Sequence, residues 1–169
     1  MDKRQANLLA AMIRYDRGSA QRIQHLVKVH DLSVAIGTLE GLDERTLYIL
    51  ESAAILHDIG IRPSLEKYGS GMGKYQEQEG PAEAEKLLRE IGGYDEEHIA
   101  RVKYLVGHHH TYDNMDGLDY QILVEADFLV NLYESQKKYD AILKAEQHIF
   151  KTATGIQFLR DMFSDRCDA

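Results

Sequence analysis

The chain has 169 residues, 44% hydrophobic and 28% charged, and a formal net charge of −8. That length suits one domain with a buried core, and the acidic balance excludes a long nucleic acid as partner, since gripping a phosphate backbone takes a basic face. The single cysteine, Cys167, can form no internal disulfide, so the fold does not depend on an oxidising compartment.

The N-terminus, MDKRQANLLAAMIRYDRG, carries charges on both sides of a short apolar run and lacks the h-region and cleavage site of a signal peptide. No apolar run approaches the roughly 20 residues that span a bilayer, so a soluble cytoplasmic protein is expected. Apolar spacing is helical nearly throughout, and no repeat or linker divides the chain. With Ser19 as N-cap, Ile23, Leu26, Val27, His30 and Val34 mark a long helix to about Glu40, stopped by Gly41. Asp43 caps a second helix through Leu47, Leu50, Ala53, Ala54 and Leu56, ending by Gly60 and Pro63. The stretch PSLEKYGSGMGKYQEQEG (63–80) reads as a glycine-containing loop, and Pro81 as the first residue of a third helix closed by Gly92 and Gly93.

A fourth helix starts at Asp95, carries Ile99, Val102, Leu105 and Val106, and delivers the chain to His108, His109 and His110. After a loop rich in Asp, Asn and Gly, a helix from about Tyr120 to Glu134 turns Ile122, Leu123, Ala126 and Leu129 inward. Amphipathic segments around 139–151 and 155–163 finish the sequence. With no convincing strand, the expectation is an all-α single domain over 1–169 of about seven or eight helices. Its core spans about 20–133, with C-terminal helices over 135–165.

Several places set polar chemistry against apolar sequence. In AAILHDIG (53–60) an apolar helix ends in His57-Asp58, forcing a carboxylate next to buried surface, which costs several kcal/mol unless it is paired or bound to metal. Imidazole plus carboxylate is also the donor mix expected for Zn, Mn, Fe or Co. Beside it stands the bland reading, a histidine on the helix dipole next to an unrelated aspartate. In RIQHLVKVH (22–30), His25 and His30 lie about 140° apart, so only one of them can face a given site. Asp127, inside VEADFLVNL (124–132), sits in a strongly apolar helix and favours a ligand or salt-bridge role. The three consecutive histidines fan out by about 100° each, so at most two converge at a helix end. His108 and His109 are the expected pair, with His110 turned to solvent or behind the site.

Together RIQH, AAILHDIG, the histidines before YDNMDG and VEADFLVNL give a chain that resembles the HD-domain superfamily of metal-dependent phosphohydrolases, over roughly residues 20 to 133. The resemblance implies an HD-type helical bundle with His25, His57, Asp58 and Asp127 as the basic metal site. His25 is preferred to His30, which is left to packing or a hydrogen bond behind the ligands. It implies one or two divalent transition-metal ions (Mn, Fe, Co, Ni or Zn), His108 and His109 serving a second ion. Where a histidine is common before the third helix this chain has Gln76, with Glu77 and Glu79 as carboxylates able to stand in.

The activity so implied is hydrolysis of a phosphate ester of a small molecule, a nucleotide above all, by a metal-activated water. Asp58 and His108 are the expected catalytic groups, with Arg62 holding the phosphate ahead of Lys67 and Lys74. The rivals are a di-iron oxygenase of the same architecture and a non-catalytic, metal-stabilised helical sensor. No membrane partner is expected, and a homodimer is allowed. The glycines and lysine of residues 68–75 do not match a phosphate-binding loop in spacing and read instead as a lid.

Overall fold

Nine α-helices, and no strand, occupy the residues described by the computed structural model, 1–137 and 139–164. They are α1 Lys3–Tyr15, α2 Ala20–Leu39, α3 Glu44–Leu56, α4 Ile61–Tyr68, α5 Gly73–Ile91, α6 Glu96–Val106, α7 Leu118–Glu134, α8 Tyr139–His148 and α9 Ala153–Met162. The expected all-α bundle is what forms, with α2, α3, α6 and α7 where the apolar spacing puts them, although Ser19 precedes α2 without a side-chain cap bond. Asp43 accepts from the Thr46 amide at 3.0 Å and Asp95 from the His98 amide at 2.8 Å, each closing a first turn. Cys167 and the expected helix end at 165 lie outside the described residues.

The centre of the molecule is α3, which packs on α1, α2, α6 and α7. Its residues from Ile49 to Leu56 are buried without a break, including Glu51 and Ser52. A helix covered on all sides is held by packing rather than by a single apolar face, each fully buried Leu or Ile adding about 1.5–3 kcal/mol. Its end therefore sits deep in the protein, and the residues that follow it inherit that depth.

Two expectations change here. The stretch read as a loop at 63–80 holds all but the first two residues of α4 and the first half of α5, and Pro81 lies inside α5 rather than at its start. The cause is tertiary packing. Gly60 lets α5 approach the turn after α3 so closely that a Cβ there would sit 2.4 Å from the Gln76 carbonyl oxygen, and Gly80 lets it approach α6, where a Cβ would sit 2.7 Å from Val106. The N-terminal run also forms a helix of its own, α1, capped by Asp2 and seated through the fully buried Leu8 and Met12.

Candidate metal centre

Two helices and two inter-helix turns bring the candidate residues together. His25 comes from the first half of α2, His57 and Asp58 from the turn leaving α3, His109 and His110 from the turn leaving α6, and Asp127 from the middle of α7. The His25 Nε2 lies 3.2 Å from His57 Nε2, 3.1 Å from Asp127 Oδ1 and 3.6 Å from Asp58 Oδ2. His57 Nε2 is 3.5 Å from Asp58 Oδ2 and 3.7 Å from Asp127 Oδ1. On its other side Asp58 offers Oδ1 to His109 Nε2 at 3.7 Å.

The far nitrogens of these rings decide what the near ones can do. His57 Nδ1 donates to the Ala54 carbonyl at 2.8 Å, and His109 Nδ1 to the Val106 carbonyl at 2.9 Å. His25 Nδ1 donates to Glu134 Oε2 at 2.9 Å, and Glu134 is itself held by Lys28 at 2.6 Å. A carbonyl or carboxylate partner fixes the proton on Nδ1, so in each neutral ring Nε2 is a bare acceptor. Three such acceptors face Asp58 and Asp127, and His109 Nε2 is buried without a hydrogen-bond partner, as is His110 Nε2. With all three rings neutral the cluster holds acceptors alone, so it needs a cation, either a proton on His25 Nε2 or a metal ion. The residues therefore fit a divalent metal, bound by neutral imidazole and ionised carboxylate.

Electrostatics agree. Burial opposes ionisation of Asp58, but His57, His109 and His25 outweigh it and hold the carboxyl well below the usual range. Asp127 is lowered in the same way, burial being overcome by its hydrogen bond from His25. Burial also disfavours charge on His25, yet Asp127 and Asp58 raise it to about 9, so a cation at Nε2 displaces a strongly held proton.

Two groups of ligand atoms lie within 4.8 Å of one another, His25, His57 and Asp58 on one side, and Asp58, His109 and His110 on the other. The second corrects the expected pair by one residue. His108 points away, its Nδ1 bonded to the Tyr104 carbonyl at 2.7 Å and its ring stacked on Tyr104 at 4.1 Å. His110 turns inward against Gly73 instead of out to solvent, because the tight turn after α6 bonds the His108 amide to Leu105 and the Thr111 amide to His108.

The remaining candidates separate cleanly. His30 bonds to Asp31 and Glu51, away from the cluster. Glu77 accepts from the His110 amide and Thr111, and Glu79 from Lys67 and Tyr68, so neither carboxylate replaces a ligand. Gln76, by contrast, is buried in the pocket wall with Nε2 donating to Gly71 and Oε1 without a partner. Lys74 lies over the Tyr75 ring. Arg62 is fixed to Glu66 and the Tyr15 carbonyl and does not line the pocket that its neighbour Ile61 lines, successive helical side chains diverging by about 100°. Arg22, three residues before His25 and so on its face of α2, lines that pocket together with Asn131 and Glu134. The spacing to His25 was the signal for Arg22, and the last turn of α7 was the signal for Glu134.

The pocket encloses about 230 Å³. No protein-family model matches the sequence, and no curated protein matches it. Among solved structures the chain is similar to a predicted HD superfamily hydrolase from an uncultured Thermotogales bacterium, at 23% identity and a TM-score of 0.68, over 96% of this chain and 87% of that one. The shared fold is that of the bundle described above.

Proposed function

We propose that this chain, carrying the fold of that predicted HD superfamily hydrolase, is a metal-dependent phosphohydrolase of the same superfamily. The observation that carries the reading is the buried convergence of three imidazoles, His25, His57 and His109, on the carboxylates of Asp58 and Asp127, joined by His110, whose Nε2 has no partner. His25, His57, Asp58 and Asp127 would hold one ion, and Asp58, His109 and His110 would hold a second. When bound, a divalent cation lowers the pKa of water towards about 7 and neutralises charge on a phosphoryl group. Asp58 keeps its ionised form across the neutral range, with Oδ2 facing His25 and His57 and Oδ1 facing His109. Arg22, bordering the pocket, supplies a guanidinium to the phosphate oxygens. The substrate is a phosphate ester of a small molecule, with nucleotides the first class to screen, and the setting is cytoplasmic.

The test is metal content and phosphate release from one preparation. Purified protein loaded with Mn or Co should release phosphate from members of an ester panel, and Asp58→Ala should lose both metal retention and turnover. A variant that retained normal turnover without metal would sink the mechanism. Stoichiometric iron with dioxygen uptake and no phosphate release would point to oxidative chemistry, and metal-dependent folding with no turnover to a sensor.

A further inference from the structure

Beside the metal pocket lies a second depression of about 390 Å³, lined by Tyr15, Arg17, Arg22, Arg62, Leu65 and Glu66. Arg22 lines both, so one guanidinium joins the cluster of His25, Asp58 and Asp127 to a groove bearing two more arginines. In a chain with a net charge of −8, three arginines on one groove are a local reversal of sign. Glu66 is the carboxylate in the lining, paired to Arg62 Nε at 3.0 Å, and buried Asp16 stands 3.3 Å from Arg22 Nε. Those two carboxylates offset two of the three charges and leave the groove positive.

Two of the three arginines are also held in a way that suits an anion. Asp16 and the Tyr15 carbonyl come from the C-terminal end of α1 and the residue after it, and they fix Arg22 and Arg62 from behind. Arg62 lies over the Tyr15 ring as well, its carbon 5.6 Å from the ring centre. Arg17 is exposed, and its side chain has no partner among the described residues. Arginine forks placed in advance bind phosphate oxygens in pairs and lose less freedom on doing so than lysines would.

We infer that the substrate carries two phosphate groups, one at the metal pocket and a second in the Arg17–Arg22–Arg62 groove. The inference rests on the phosphohydrolase reading for its first phosphate and adds the class of substrate: a small bisphosphorylated molecule rather than a monophosphate. Two linked anionic groups in adjoining sites gain from a high effective concentration once the first is bound, so the second site acts on selectivity more than its own affinity suggests.

The test uses non-hydrolysable probes on the full, Mn-loaded chain, so that binding is read without turnover. Alkane bisphosphonates of increasing chain length are titrated by calorimetry against propylphosphonate, and the same series is run on Arg17→Gln/Arg62→Gln. At least one chain length should bind tenfold or more tightly than the monophosphonate, and the double variant should lose that gain. Exposed arginines are changed, so circular dichroism should match the wild type. If no bisphosphonate exceeds propylphosphonate, or the gain survives the double variant, the groove is not a phosphate site. Phosphate release from the ester panel is scored separately. Turnover without a bisphosphonate preference overturns the groove and keeps the hydrolase, whereas the preference without turnover does the reverse.

Discussion

Glu134 touches none of the carboxylates in the cluster, yet it controls His25. Its Oε2 takes the Nδ1 proton of His25 at 2.9 Å, which orients the ring and leaves Nε2 free for a cation. Lys28 pins the other oxygen at 2.6 Å, so the carboxylate cannot swing away. Partners of this kind set the basicity of a ligating histidine, and their loss typically costs 10–100-fold in metal affinity. Glu134→Gln keeps the shape and an acceptor oxygen but removes the charge. It should weaken Mn binding about tenfold or more in a competition titration against a chromophoric chelator, with the melting temperature of the metal-free protein little changed. Unchanged affinity would mean that His25 is not a ligand, or that its orientation comes from packing alone. The same residue scale shows why the histidine run resisted sequence reading. A fan of about 100° per residue limits the number that converge, but the choice between His108 and His110 depends on the turn's hydrogen bonds and on Tyr104 stacking, and neither is visible in a string of three identical letters.

At the scale of elements, the turn between α3 and α4 works because α5 can come close to it. Gly60 has ordinary right-handed backbone angles, φ −71° and ψ −15°, so alanine there carries no backbone strain and would by itself favour the folded state. Space decides otherwise, since the added Cβ would lie 2.4 Å from the Gln76 carbonyl oxygen and 2.9 Å from its Cα, both backbone atoms of α5. Gly60→Ala should therefore destabilise the protein by about 1–3 kcal/mol, as overpacking does, and should loosen metal retention because Gln76 and Gly73 move with α5. Gly71→Ala is the control, its Cβ meeting nothing closer than 3.8 Å, and should be neutral or slightly stabilising. Urea unfolding of both variants separates them, and equal midpoints would remove the close approach as an explanation. This packing is also why the half-helix before Pro81 was not legible. KYQEQEG has no apolar face, so its helix is defined by glycine contacts to residues 16 or more positions away. The fold class and the helices α2, α3, α6 and α7 were legible because each carries its own apolar spacing, with Asp43 and Asp95 capping α3 and α6 as well. His57-Asp58 and Asp127 stood out because a charge inside apolar sequence must meet a partner, whichever way the loops run.

Across the whole molecule, two of the buried polar networks shift a histidine in opposite directions, His25 upward and His98 downward. One is the candidate metal cluster. The other joins three helices through His98 of α6, whose Nε2 meets Ser52 Oγ of α3 at 3.0 Å, while Ser52 bonds Gln5 of α1 at 2.8 Å. The rings of Tyr48 and Tyr94 flank His98, with Asp95 the nearby charge that favours protonation and Arg45 and Arg4 opposing it. Burial dominates and pushes His98 down to about 4, from an ordinary value of 6.5. The unfolded chain therefore takes up a proton at this residue below about pH 6.5, whereas the folded chain does so only near pH 4. The stability that His98 contributes is complete above pH 6.5, declines as pH falls, and is gone once pH drops through 4, a loss of at most about 3 kcal/mol. His98→Gln keeps a hydrogen-bonding group for Ser52 but cannot titrate. Wild type and variant unfolded in urea at pH 7 and at pH 4.5 should both weaken in acid, with the wild type losing more. Metal binding titrates with the first network, so the comparison belongs in metal-free buffer, where the difference between the two chains isolates His98. Equal acid sensitivity would show that the three-helix network opens before His98 takes up its proton.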